Sequence, residues 1–104
     1  MPDKRFKPQS GLEQLDSRRA LLDDIEAHPG RPVHEVIRQV RTTLRLTIAE
    51  YAKVSGVSAR GLQDIERGVT SPTLATAAKL LKPMGLRLGV VTRETVERAE
   101  RVAD

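Results

Sequence analysis

The most constraining feature of the chain is a pair of short helices, predicted over residues 46–68 and joined by a tight turn. Thr47 can cap the first helix, and Glu50, three residues later, completes a capping box with it. Gly56 breaks this helix, because glycine adopts positive φ more readily than other residues. Ser58 can then cap the second helix. The sequence therefore predicts two helices with defined ends and a sharp turn between them.

The second helix has one apolar face and one polar face. Leu62 and Ile65 are three residues apart and share the inward side, and Gly68 ends the helix. The residues expected to point outward are Ala59, Arg60, Gln63, Asp64 and Arg67. Side chains of these polar types hydrogen-bond base edges in the DNA major groove, so the helix is a candidate for contact with DNA.

Residues 49–52, 55–58 and 65–68 make this stretch similar to the Xre family, the group of phage repressor and Cro proteins. The likeness covers about residues 33–85. The resemblance implies an all-α, lambda-repressor-like helix-turn-helix domain whose third helix enters the major groove, usually as a dimer on a palindromic site. It also implies that Arg41 in the first helix of that domain pairs with Glu66.

Its length of 104 residues limits the chain to one domain with short extensions. With one Tyr, one Phe and no Trp, the core must be aliphatic, which suits a small helical bundle. The absence of cysteine excludes disulfides, thiol catalysis and cysteine-rich zinc sites. The sequence has no apolar run long enough for a membrane span and no signal peptide, so we expect a cytoplasmic protein without a membrane partner.

Basic residues are concentrated in the predicted helix-turn-helix region. Residues 33–92 contain nine Lys or Arg against four acidic residues, a surplus of five, whereas the whole chain has a net charge of +4. A basic excess alone is weak evidence for a nucleic-acid partner. Together with the motif, it favours binding to the phosphates of double-stranded DNA.

Residues 1–32 are predicted to form a basic arm, over residues 1–9, followed by a helix. Ser10 begins a capping-box pattern, and the helix should run to about Ala27, before a stretch with two prolines and a glycine. Its expected apolar stripe consists of Leu12, Leu15, Leu22 and Ile25. Two roles are open for this helix: a cover on the domain, or a contact with a partner or a second subunit.

The core domain, residues 33–85, begins with a helix from Val33 to about Leu44 that has the clearest apolar periodicity in the chain. A further helix is predicted at about residues 73–82, after Pro72. Its expected inward residues are Leu74, Ala77, Ala78 and Leu81.

Residues 86–104 are predicted to form a short β-strand and a charged helix. Residues 86–92 alternate in polarity and are rich in β-branched residues, and a lone strand would pair with a second copy of the chain. The expected dimerisation residues are Leu86, Leu88 and Val90. This segment is similar to the strand of HipB-type antitoxins that joins two subunits. The alternative is an extended tail packed on its own domain. The helix over residues 93–103 is either solvated or docked on a partner.

The predicted contacts with bases are Ser58, Ala59, Arg60, Gln63 and Asp64. The resemblance implies phosphate contacts at Arg67, Thr70 and Ser71, and Thr47, at the start of the preceding helix, is predicted to contact a phosphate as well. Arg60 is the strongest candidate, because an arginine–guanine pair discriminates by about 1–3 kcal/mol. Gln63 suits either adenine or a phosphate. Asp64 suits either a cytosine amine or an internal link to Arg60. Gly61 should cost the helix about 1 kcal/mol relative to alanine, so it either permits close approach to DNA or is merely tolerated.

Enzymatic activity is not expected. The two histidines, His28 and His34, show no metal-ligand spacing, and the sequence has no glycine-rich phosphate loop and no nucleophile beside a base. We therefore predict no catalytic residues, no metal and no cofactor.

The resulting hypothesis is a sequence-specific transcriptional repressor that binds a palindromic operator as a homodimer and regulates its own gene. The alternative is an antitoxin of a type II toxin–antitoxin pair, which binds and neutralises a toxin protein.

Overall fold

A computed structural model describes residues 8–103, and regular structure within this range is entirely helical. Six α-helices follow one another, with a short 3-10 turn, Lys82–Met84, after the fifth. They are α1 (Gly11–Ala27), α2 (Val33–Thr43), α3 (Ile48–Ser55), α4 (Ala59–Glu66), α5 (Leu74–Leu81) and α6 (Arg93–Ala103). The predicted all-α class and the extra N-terminal helix are confirmed. The predicted arm lies outside the described residues, apart from its last two positions.

Helices α2 to α5 surround one aliphatic core with a single aromatic ring at its centre. Tyr51 is fully buried, and its hydroxyl donates a hydrogen bond to the Leu80 carbonyl near the end of α5, where helical carbonyls run out of intrahelical partners. The other fully buried large side chains are Ile37, Val40, Leu62 and Leu80. This core holds α3 against α4, α4 against α2, and both α2 and α3 against α5.

The ends of α3 and α4 are set by local hydrogen bonds that the sequence predicted. Thr47 and Glu50 form the complete capping box at the start of α3. Gly56 adopts the left-handed conformation, with a φ of 75°, and turns the chain toward α4. Ser58 caps α4 by accepting a hydrogen bond from the Gly61 amide. The helix-turn-helix geometry is therefore confirmed.

A buried ion pair joins α2 to the end of α4. Arg41 Nε lies 2.8 Å from Glu66 Oε2, and Arg41 Nη2 lies 3.0 Å from Glu66 Oε1. Arg41 Nη1 also donates to the Leu46 carbonyl, in the turn before α3. The Arg41 guanidinium thus links α2 to the end of α4 and to the turn before α3. The pairing of Arg41 with Glu66 that the resemblance implied is confirmed.

The predicted inward faces of two helices are partly wrong. On α5, Leu74 is 78% exposed and Ala78 is exposed, whereas Leu80, which was not predicted, is fully buried. On α1, Leu12 and Leu15 are 70% and 63% exposed, and the buried residue is Leu21. Helix α1, of 17 residues, is about 25 Å long, whereas α2, its main neighbour, has 11 residues and reaches about 16 Å. Helix α1 is therefore longer than α2 by about six residues, so α2 cannot cover its whole length.

The predicted β-strand over residues 86–92 is wrong for this chain. The Leu86 amide bonds to the Leu81 carbonyl, and the Thr92 carbonyl accepts from the Val96 amide. Between these two bonds, the backbone makes no hydrogen bond to any other described segment. The physical reason is that a strand exists only beside another strand, and the described segments that border residues 86–89 are helices and turns.

Helix α6 packs lightly against the turn that joins α1 to α2. Val96 lies against Gly30 so closely that a Cβ added at Gly30 would be 2.5 Å from the Val96 Cγ1. Val96 and Ala99 are half-buried, whereas Val102, farther along the helix, is largely exposed. The helix is therefore partly docked on its own domain.

Within the described range, none of the helices combines the length and the apolar character that crossing a membrane requires.

Candidate nucleic-acid interface

Helix α4 presents its polar face to solvent. Leu62, Ile65 and Glu66 are buried against the domain, and the opposite side carries the exposed residues Ser58, Ala59, Arg60, Gln63 and Arg67. Helix α1 packs mainly on α2 and α6, away from α4. The structure thus brings four of the five predicted base-contact residues, all except Asp64, together on one accessible face.

Gly61 has a structural role that the sequence did not reveal. A Cβ added at this position would lie 2.7 Å from the Ser58 Oγ, which caps α4. Glycine leaves room for that cap, and this offsets part of its low helix propensity. Its closeness to the cap residue, three positions away on the first turn, is the signal that could have suggested this role.

Asp64 is half-buried, which distinguishes it from its exposed neighbours on α4. Among the described residues, no ion pair joins it to Arg60, so the internal link considered from the sequence does not form. Its backbone carbonyl instead accepts hydrogen bonds from the amides of Val69 and Thr70, at 2.9 and 3.4 Å. These bonds fold the loop after α4 back against the helix.

The predicted phosphate contacts lie at the two ends of the helix-turn-helix. Thr70 and Ser71 are exposed on the loop that follows Gly68, whose φ is 74°. At the start of α3, the Thr47 hydroxyl accepts from the Glu50 amide at 3.1 Å, which leaves its own hydrogen free to donate. Both ends therefore offer donors suited to a phosphate oxygen.

A groove of about 230 Å³ lies between the start of α3 and the outer edge of α4. Its lining residues are Arg38, Arg41, Ile48, Gln63, Glu66 and Arg67. Arg38, an exposed residue of α2, was not predicted as a site residue. Its spacing places it one helical turn before Arg41 on α2, but no local signal shows that this part of α2 lies beside α4.

Charge at the interface comes from exposed arginines rather than from the buried pair. Arg41 and Glu66 neutralise each other, so Arg38, Arg60 and Arg67 supply the positive charge on this side.

Next to this ion pair, burial raises the pKa of the Tyr51 hydroxyl above its usual value. The nearby Glu66 carboxylate raises it further, and the Arg41 guanidinium opposes this rise. Tyr51 is therefore neutral and structural.

The residues predicted for dimerisation lie in different environments. Leu86 is half-buried and packs against the core of its own chain. Leu88 is 37% exposed, and Val90 is completely exposed. Of the three predicted dimerisation residues, Leu88 and Val90 are therefore the ones exposed enough to contact a second copy of the chain.

The family model described as Helix-turn-helix matches residues 37–91, which is more than half of the chain. The chain belongs to the helix-turn-helix family. The match begins within α2, so α1 lies outside it, and it ends within the extended segment before α6. No curated protein and no solved structure matches this helix-turn-helix protein significantly. Family membership and the exposed polar face of α4 together identify a DNA-binding regulator of transcription.

Proposed function

We propose that this helix-turn-helix protein is a sequence-specific repressor that binds a palindromic operator as a homodimer and regulates its own gene. The observation that carries the proposal is the unobstructed polar face of α4, centred on Arg60. The action requires no catalytic step, because a repressor acts by occupying DNA that the transcription machinery needs.

Arg60 is the residue that would discriminate between bases. It lies in the first turn of α4, and helices of this type contact base edges through their N-terminal residues. Its guanidinium can donate two hydrogen bonds to one guanine. Ser58, Ala59, Gln63 and Asp64 lie around it on α4 or at its cap. Arg67, Thr70, Ser71 and Thr47 would hold phosphates and so fix the register of the helix in the groove.

Dimerisation would place two copies of α4 on one face of the duplex. Half-sites recognised by such dimers lie about 34 Å apart, which is one turn of B-DNA. The exposed apolar side chains of Leu88 and Val90 support a contact between subunits through residues 86–91, which follow the 3-10 turn after α5. Val90→Asp would introduce two charges into that contact without disturbing any buried residue. We expect sedimentation velocity to show dimers for the native chain and monomers for the variant.

Two substitutions on α4 test the proposed roles against each other. Duplexes selected from a random pool provide the preferred site, and a scrambled duplex provides the reference. Arg60→Ala should weaken binding to the preferred site by about 1–3 kcal/mol and relax discrimination at one base pair per half-site. Arg67→Ala should weaken binding to both duplexes alike and reduce the salt dependence. If Arg60→Ala lowered affinity equally on both duplexes, its assigned role in base discrimination would be excluded.

A second candidate function is neutralisation of a toxin protein, with repression alongside it. The exposed Leu12 and Leu15 on α1 support it, because their apolar side chains face solvent on a helix outside the family match. Co-purification of the chain with the product of the neighbouring gene tests this candidate. A complex that Leu12→Ser with Leu15→Ser abolishes would support it. The absence of any complex would exclude this candidate and favour a repressor that acts without a toxin partner.

A further inference from the structure

We propose that Arg38, Gln63 and Arg67 together hold one backbone phosphate of the bound DNA, so that α2 is a third element of the interface. This inference rests on the proposed DNA-binding function and adds a site to it. Neither the spacing of the helix-turn-helix nor the family match assigns a role to Arg38.

The groove between α3 and α4 is the first support for this site. Its volume of about 230 Å³ is several times the roughly 30 Å³ that one water occupies in the liquid, so a phosphate oxygen with its neighbours fits. The groove opens beside the exposed face of α4, since Gln63 and Arg67 belong to both. A helix that enters the major groove has the sugar–phosphate backbone along its edges.

The hydrogen-bonding state of the lining residues is the second support. Arg41 and Glu66 bond to each other, and Ile48 has no polar group in its side chain. The remaining polar groups are the side chains of Arg38, Gln63 and Arg67, for which no hydrogen bond or ion pair with another described residue is found. The groove therefore combines two uncompensated positive charges with an amide donor.

Arginine at two of these positions suits a phosphate in particular. Guanidinium groups donate two parallel hydrogen bonds to a phosphate, and charged donors make shorter and stronger bonds than neutral ones. Gln63 can donate through its amide nitrogen while Arg38 and Arg67 approach from α2 and from the end of α4. The geometry thus favours the phosphate role of Gln63 over adenine recognition.

The test compares Arg38→Ala with Arg18→Ala, which removes the same charge from the exposed face of α1. Binding to a selected duplex is measured over a range of salt concentrations, and thermal melting confirms that each variant is folded. We expect Arg38→Ala to bind about tenfold more weakly on selected and scrambled duplexes alike, because phosphate contacts carry no sequence information. Arg18→Ala should bind as the native chain does. Arg38→Lys should recover part of the loss.

A double variant tests whether one phosphate is shared. If Arg38 and Arg67 hold the same phosphate, Arg38→Ala with Arg67→Ala should reduce the salt slope by about 0.9, the value for one phosphate, rather than by twice that amount. Replacing single phosphates by neutral methylphosphonates should identify one position per half-site at which both substitutions become silent. Separate positions for the two arginines would overturn the shared site.

Two outcomes separate this inference from the proposed function. If the native chain discriminates between duplexes but Arg38→Ala has native affinity and salt slope, the phosphate site is wrong and the proposed function stands. If the native chain binds no duplex at all, the proposed function fails, and the phosphate site fails with it.

Discussion

The helix-turn-helix unit and the C-terminal segment are both short amphipathic structures, yet they differ in what holds them. Residues 47–68 are fixed by two side-chain caps, a buried ion pair and apolar faces that close on the core. Residues 86–103 have a capped helix and an exposed ion pair, but their apolar residues are mostly exposed. Both regions thus have helix caps and an ion pair, but the apolar side chains are buried in the first region and mostly exposed in the second.

This difference shows that a segment can form a helix without adding much to the stability of the fold. A cap or an ion pair acts over one or two turns, whereas most helical stability in proteins comes from packing of an apolar face. The C-terminal segment forms its helix but leaves Leu88, Val90 and Val102 exposed. The comparison can be tested by matched substitutions in the two regions.

The two ion pairs should differ most. Glu66→Ala leaves the Arg41 guanidinium buried without its partner, which should lower the free energy of unfolding by about 3 kcal/mol or more. Glu94→Ala removes the exposed pair with Arg98 on α6 and should cost no more than about 0.5 kcal/mol. Urea denaturation measures both values. Similar losses for the two variants would show that burial does not decide the strength of these pairs.

Two valines provide the next contrast. Val40→Ala opens a cavity in the core and should lower the free energy of unfolding by about 2 kcal/mol. Val90→Ala removes the same atoms from a completely exposed position, so the monomer should unfold within about 0.5 kcal/mol of the native chain. Denaturation at a protein concentration where only monomers are present measures the two effects. A large loss for Val90→Ala would mean that residues 86–92 pack on their own domain.

Alkaline pH should destabilise the helix-turn-helix core through Tyr51, the only tyrosine in the chain. Its folded pKa is raised, so the unfolded chain loses the hydroxyl proton first, near pH 10. Stability from this group is constant below about pH 9 and falls by at most about 1.4 kcal/mol per pH unit above pH 10. Tyr51→Phe should lack this component. Ultraviolet absorbance of tyrosinate provides the measurement, and ionisation near pH 10 without unfolding would contradict the prediction.

The smallest contrast concerns two helix caps. Thr47→Ala removes the cap of α3 and should cost about 1 kcal/mol of global stability. Thr92 makes the same bond to the Thr95 amide at the start of α6, at 3.0 Å. We expect Thr92→Ala to speed hydrogen exchange at Thr95 while global stability changes by no more than about 0.5 kcal/mol. Equal global losses would indicate that α6 folds cooperatively with the core.

Much of the fold follows from local patterns in the sequence. The bounds of α1, α3, α4 and α6 were predicted within a residue or so, because Ser10, Thr47 and Ser58 are recognisable caps. The exposed side of α4 followed from the spacing of Leu62 and Ile65. The resemblance to the Xre family supplied the pairing of Arg41 with Glu66, which spacing alone could not give.

Several of the errors concern contacts between distant segments. Leu12 and Leu15 have the spacing of a buried stripe, but α1 is longer than the helix on which it packs. The expected strand had no partner strand among residues 8–103. Arg38 was not expected at the interface, because its closeness to Arg67 depends on how α2 lies against α4.

The ends of the helices and the polar face of α4 can be read from local sequence, since caps, turns and periodicity act within a few residues. Which apolar residues are buried and which arginines share a groove is set by the packing of the helices. Those outcomes depend on the lengths and relative positions of whole helices, and residues far apart in sequence carry no local signal of their contact.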